Sequence, residues 1–124
     1  MKIIMVEREK LLGYSYTIHL KQVGHEVIYL GQGQDLLPTI EREKPGAIIL
    51  GIKITGYGYF ELLEQVKAAY PQLPVIFSTS LTDLWVEAQD KGADFFDDKS
   101  GDLSNIKEII ERLDKKQKGE ANER

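Results

Sequence analysis

Short apolar runs alternate along this chain with longer stretches whose apolar positions recur at three- and four-residue spacing. Residues 3–6 predict a strand. A helix follows over about residues 10–22, where Leu11, Tyr14 and Ile18 recur with Leu12, Tyr16 and Leu20 beside them, and Gly24 closes it. Residues 27–30 predict a second strand, broken by Gly31-Gln32-Gly33. Asp35 is placed to cap a helix carrying Leu36, Leu37 and Ile40, in which Pro38 is tolerated because it falls in the first turn. Lys44-Pro45-Gly46 ends that helix, and residues 47–50 form a third, wholly apolar run.

The second half repeats the scheme. A helix over about residues 59–69 carries Leu62, Leu63 and Val66, Pro71 stops it, and Pro74 introduces a strand over 75–78. Thr82 or Asp83 caps a short helix through Leu84, Trp85 and Ala88 that ends at Gly92. Asp94-Phe95-Phe96 predicts a brief fifth strand. Asp102 caps a last helix with Leu103, Ile106, Ile109, Ile110 and Leu113 facing inward. Five successive βα units predict an α/β fold with a parallel sheet and helices on both faces. In such sheets ligands and chemistry collect at the carboxyl ends of the strands. Gly51 stands at that place after the third run and offers no nucleophile, metal ligand or charge.

Composition narrows the picture. A chain of 124 residues reads as one domain, with a tail or linker stub over residues 115–124 that is polar, charged and interrupted by Gly119. There is no cysteine, which excludes disulfides and thiolate zinc sites. No stretch approaches the roughly 20 apolar residues of a membrane span, so no membrane partner and a cytoplasmic location are expected. The net charge of −4 argues against direct nucleic-acid binding.

The order of several short blocks is specific. Lys44-Pro45-Gly46 runs into Ala47-Ile48-Ile49-Leu50-Gly51, followed by Gly56 and Glu61-Leu62-Leu63. Pro74-Val75-Ile76-Phe77-Ser78-Thr79 comes next, then Gly92-Ala93-Asp94, Phe96 and Lys99. Over about residues 2–114 the chain resembles the receiver domain of bacterial response regulators, of the chemotaxis-regulator kind. That resemblance implies a flavodoxin-like, doubly wound (βα)5 fold with a five-stranded sheet in the order 2-1-3-4-5. It also implies that Gly51 occupies the place of the phospho-accepting aspartate, Thr79 that of the switch threonine or serine, Phe96 that of the switch aromatic and Lys99 that of the phosphate-pairing lysine.

The departures fall on the chemistry. Where the family carries two adjacent acids that hold magnesium, this chain has Glu7 and then Arg8, a permanent cation. With Gly51 also lacking a carboxylate, a hard cation that needs oxygen ligands finds too few of them. Neither a metal site nor phosphoryl transfer to a carboxylate is expected. Ser100 replaces the usual proline after the lysine, and Thr55 replaces the proline of the third loop.

Alternatives remain open at the retained positions. Thr79 is either a switch remnant or a polar strand end. Lys99 is expected to pair with Glu7. Arg8 either fills the vacated cavity or points into solvent, and Trp85 is either core or an interface anchor. The resemblance implies contacts through Trp85, Phe96 and Ile106 on the face of the fourth helix, fifth strand and fifth helix, with a protein partner, a second copy, or an effector domain in the same polypeptide. His19 and His25 are too isolated for a metal site.

Three functions follow. The first is a non-enzymatic, phosphorylation-independent interaction module without cofactor. The second is a receiver using another acceptor, such as Thr55 or Ser78. The third, of another class, is a small-ligand or cobalamin-like module, suggested by the stretch from Gly24 to Gly31. The histidine motif that ligates cobalt is missing, and Gly31-Gln32-Gly33 lacks the third glycine of a nucleotide fingerprint.

Overall fold

In the computed structural model, residues 1–51, 58–99 and 103–122 are described, with side chains to residue 120. The expectations attached to Thr55, Gly56, Ser100 and Asp102 lie outside the described residues. The strands are β1 (Lys2–Val6), β2 (Glu26–Leu30), β3 (Ala47–Gly51), β4 (Val75–Ser78) and β5 (Phe95–Asp97). The helices are α1 (Lys10–Gln22), α2 (Leu36–Glu43), α3 (Tyr59–Ala69), α4 (Leu84–Asp90) and α5 (Ser104–Asn122), with a 3-10 turn at Gly33–Asp35. All strand pairs are parallel and the sheet order is β2-β1-β3-β4-β5, the flavodoxin-like order expected.

Strand side chains alternate between two cores, as a sheet covered on both faces requires. Ile4, Val6, Ile48, Leu50 and Phe77 pack with Leu36, Ile40, Leu63, Val66 and Ala88 from α2, α3 and α4. Ile3, Met5, Ile49 and Ile76 pack with Tyr16 and Leu20 of α1 and Ile106, Ile110 and Leu113 of α5. This alternation fixes which face each residue at the carboxyl edge addresses.

Several local readings change. On α1 the buried side is Gly13, Tyr16 and Leu20, while Leu11 is 86% exposed and Tyr14 and Ile18 are also exposed. Asp35 and Asp83 occupy the N-cap positions of α2 and α4, but neither makes a side-chain cap bond. The fifth strand begins one residue later than its pattern suggested.

The tail expected over residues 115–124 is helical through Asn122. Lys115 pairs with Glu111 at 3.4 Å and Lys118 with Asp114 at 3.0 Å, both one turn apart. Gln117 Nε2 donates to the Gly46 carbonyl at 2.9 Å and ties the extension to the loop before β3. These contacts carry the helix past Gly119, whose intrinsic cost in a helix is only about 1 kcal/mol.

Candidate functional site

One row of positions runs along the carboxyl edge on the α1/α5 face. Gly51 is in register with Ser78, and Ser78 with Asp97. Glu7 extends β1 by one residue, its N–H donating to the Leu30 carbonyl at 3.0 Å. The row therefore reads Glu7, Gly51, Ser78, Asp97 across β1, β3, β4 and β5.

Glu7 is completely buried, and the Lys99 side chain is only 8% exposed. The Lys99 ammonium stands 2.5 Å from Glu7 Oε1, which is the ion pair expected between them. That oxygen accepts no aligned hydrogen bond among the described residues, so its partner is the charge of Lys99. Glu7 Oε2 accepts from the Glu9 N–H at 3.3 Å. The Tyr29 hydroxyl donates to the Glu7 carbonyl at 2.6 Å, and its ring reaches there because Gly13 carries no side chain: a Cβ at 13 would lie 2.3 Å from Tyr29 Cε1.

Gly51 explains where the Glu7 carboxylate goes. A Cβ at position 51 would stand 2.6 Å from Glu7 Oε1, 3.0 Å from Glu7 Cδ and 3.0 Å from the Val6 carbonyl. The space a side chain would take is filled by the acid of the neighbouring strand. Lys99 holds its side with φ of 56°, a left-handed conformation that costs a non-glycine residue about 1–2 kcal/mol.

Arg8 does not enter this cavity; it is exposed and lines a separate crevice. Among the described residues no group of three histidines, aspartates or glutamates is placed to hold a metal. Around Glu7 the oxygen ligands that a hard divalent cation needs are few: its carboxylate is paired with Lys99, the next residue is Arg8, and Gly51 beside it carries no side chain.

Thr79 is buried, and its Oγ1 accepts from the Leu81 N–H at 3.1 Å, closing its own turn. Ser78 is fully buried and its hydroxyl donates to Asp97 Oδ2 at 3.0 Å.

Asp97 escaped the sequence analysis. It is 1% exposed, and its Oδ2 also accepts from Tyr16 Oη at 3.3 Å and the Lys99 N–H at 3.3 Å, while Oδ1 accepts from Asn105 Nδ2 at 3.1 Å. Burial, then the Asp97 charge, pushes the Tyr16 hydroxyl far above its ordinary value. Strand alternation was the available signal, since Phe95 faces α1 and α5 and a strand extended to 97 puts the aspartate on that same buried face.

On the opposite face Trp85 and Phe96 are half-buried, their rings 5.5 Å apart and inclined by 32°. Both pack against the core beneath α2, α3 and α4, and Trp85 Nε1 is buried with no partner among the described residues. Ile106 does not join them. It is 1% exposed in the other core with Ile110 and Leu113, because those positions share the inward face of α5, so it is removed from the interface set.

No protein-family model matches the chain. It is 30% identical over 94 residues to the response regulator protein FleR of Pseudomonas aeruginosa, covering 74% of this chain and 20% of that protein. It is 29% identical over 94 residues to the regulatory protein LuxO of Vibrio vulnificus, covering 74% of this chain and 21% of that protein. The chain thus spans about a fifth of these curated relatives. The signal receiver domain of a putative LuxO repressor protein from Vibrio parahaemolyticus superposes with a TM-score of 0.83 at 26% identity, over 97% of this chain and 94% of that one. Sheet order, strand register and these similarities together make the chain a receiver domain of the response-regulator kind, the module of two-component signalling.

Proposed function

We propose that this receiver domain acts without phosphorylation, as an interaction module whose state is set by its own side chains. The observation that carries this reading is the Glu7 carboxylate, paired with Lys99 and filling the space that a side chain at position 51 would occupy. In an acceptor site that space holds the nucleophile, and the lysine is available to the incoming phosphoryl group. Here an internal anion engages the lysine and fills the place of a nucleophile, so neither is presented for transfer.

The alternative acceptor Ser78 is disfavoured by burial and by its hydrogen bond to Asp97. A hydroxyl with no solvent access offers no approach to a phosphodonor. Partner contacts are assigned to the side of α4 and β5, where Val86 is exposed next to Trp85. The curated relatives are several times longer, which supports an effector domain in the same polypeptide.

Incubation with acetyl phosphate and magnesium, followed by intact mass measurement, tests the reading. The expected result is an unchanged mass, and a magnesium-dependent phosphoryl adduct overturns it.

A further inference from the structure

We propose that the crevice at the carboxyl edge of β1 and β2 binds a small phosphorylated ligand of the mononucleotide class. A cavity of about 1020 Å³, open to solvent, is lined by Arg8 and Lys10 after β1, by residues 31–34 after β2, and by the first two turns of α3. The crevice lies at the carboxyl edge of the sheet, where ligands collect in open parallel α/β folds.

The chemistry of the walls selects the ligand. Arg8 and Lys10 bring two cations to one side, and neither forms an ion pair among the described residues. Glu61 is the single carboxylate among the lining residues, and Gln32, Gln34 and Gln65 supply neutral amide donors and acceptors. Tyr59 and Leu62 form an apolar floor. Two cations, neutral amides and an aromatic ring lining one crevice suit a phosphate ester joined to a polar ring.

Gly33 and Gly58 stand along the crevice where the chain packs closely on α3 or turns into it. A Cβ at position 33 would lie 2.7 Å from Leu62 Cδ2, and Gly58 enters α3 with φ of 95°, where a side chain is disfavoured. These glycines follow β2 and precede α3 instead of following β1, outside the pattern of a nucleotide fingerprint.

This site is independent of the Glu7–Lys99 pair but adjoins it. Tyr29, on the crevice wall, donates its hydroxyl to the Glu7 carbonyl. The absence of a phosphoryl acceptor and the presence of a ligand site are therefore separable, and one can fail without the other.

Amide-resolved NMR titration of the whole chain with AMP, GMP and FMN tests the proposal, with inorganic phosphate as the comparison. Saturable shifts at Arg8, Lys10, Gly31, Gly33 and Tyr59 for at least one nucleotide are expected. Arg8→Glu and Lys10→Glu should each weaken that binding by about ten-fold or more, since each reverses a charge-assisted contact on an exposed side chain. Circular dichroism should show both variants folded as the parent is. No saturation with any of the three nucleotides overturns the proposal. So does binding that ignores both charge reversals, or inorganic phosphate binding as tightly as the nucleotide, which would leave an adventitious ion only.

Discussion

Glu7 Oε1 stands 2.6 Å from the point where a Cβ at position 51 would be, so the glycine and the glutamate are one arrangement. Each bears on the other: the acid occupies the space above the glycine, and a Cβ there would require the Glu7 carboxylate to shift and would stand 3.0 Å from the Val6 carbonyl.

Gly51→Asp is therefore expected to leave the domain unphosphorylated. The introduced carboxylate meets Glu7 within contact distance, adds a second negative charge beside it, and finds Arg8 where a metal-binding acid is needed. Overpacking alone should lower stability by about 1–3 kcal/mol, which Gly51→Ala isolates in urea unfolding. Magnesium-dependent labelling of Gly51→Asp by acetyl phosphate would show that Glu7 moves aside readily, against this account.

Lys99 should be costly to remove on its own. Lys99→Met strands a buried carboxylate without its cation, a loss of about 3–5 kcal/mol. Adding Glu7→Gln removes the stranded charge at almost constant volume. The double variant should thus be more stable than Lys99→Met alone, measured by urea denaturation. A single-variant cost below about 1 kcal/mol would mean that the pair is solvated and carries no structural weight.

The sheet was legible because its apolar runs are short, nearly unbroken and separated by glycines and prolines, as around Lys44-Pro45-Gly46 and Pro74. The Glu7–Lys99 pair was legible as well, since both positions belong to the motif that the chain resembles. Asp97 was lost through a one-residue slip. A fifth strand read as residues 94–96 stops before Asp97, so the alternation was not carried from Phe95 to the aspartate two residues on. The α5 extension was lost because Gly119 was weighed as a breaker, while the pairs of Lys115 and Lys118 one turn back were left out of the balance. Arg8 was undecidable from sequence, since a side chain of its length suits either the cavity or the surface; in the structure Glu7 is buried in the cavity and Arg8 is exposed along the crevice.

Trp85 should tolerate a change of ring better than loss of the ring. Its indole N–H has no partner among the described residues, so Trp85→Phe abandons no hydrogen bond and keeps an aromatic against Phe96. A cost under about 1.5 kcal/mol is expected for that variant, and a larger one for Trp85→Ala. Thermal unfolding followed by circular dichroism measures both, because the lone tryptophan would otherwise report on itself. Equal losses for the two variants would point to an indole contact absent from this packing.

Burial and the Asp97 carboxylate together link Tyr16 to the alkaline stability of the fold. The Asp97 carboxylate accepts the buried Tyr16 and Ser78 hydroxyls and the Lys99 N–H, so Asp97→Ala takes the acceptor from these donors, while the Asn105 amide keeps the Phe96 carbonyl, and should cost about 3 kcal/mol or more. The linkage to pH follows from the direction of the Tyr16 shift. Burial and the Asp97 charge raise its folded value above the ordinary 10.0, so the folded state holds the phenol proton more tightly than the unfolded chain does. That contribution is fully present below pH 10 and is lost as the pH rises above it, while the unfolded chain ionises first. Tyr16→Phe has no proton to lose. It should be less stable than the parent at neutral pH by about 1 kcal/mol for the missing hydrogen bond, yet fall less steeply above pH 10. Urea unfolding at a series of pH values compares the two slopes. Parallel slopes would mean that the Tyr16 hydroxyl ionises as freely in the fold as outside it, and that Asp97 does not hold its proton in place.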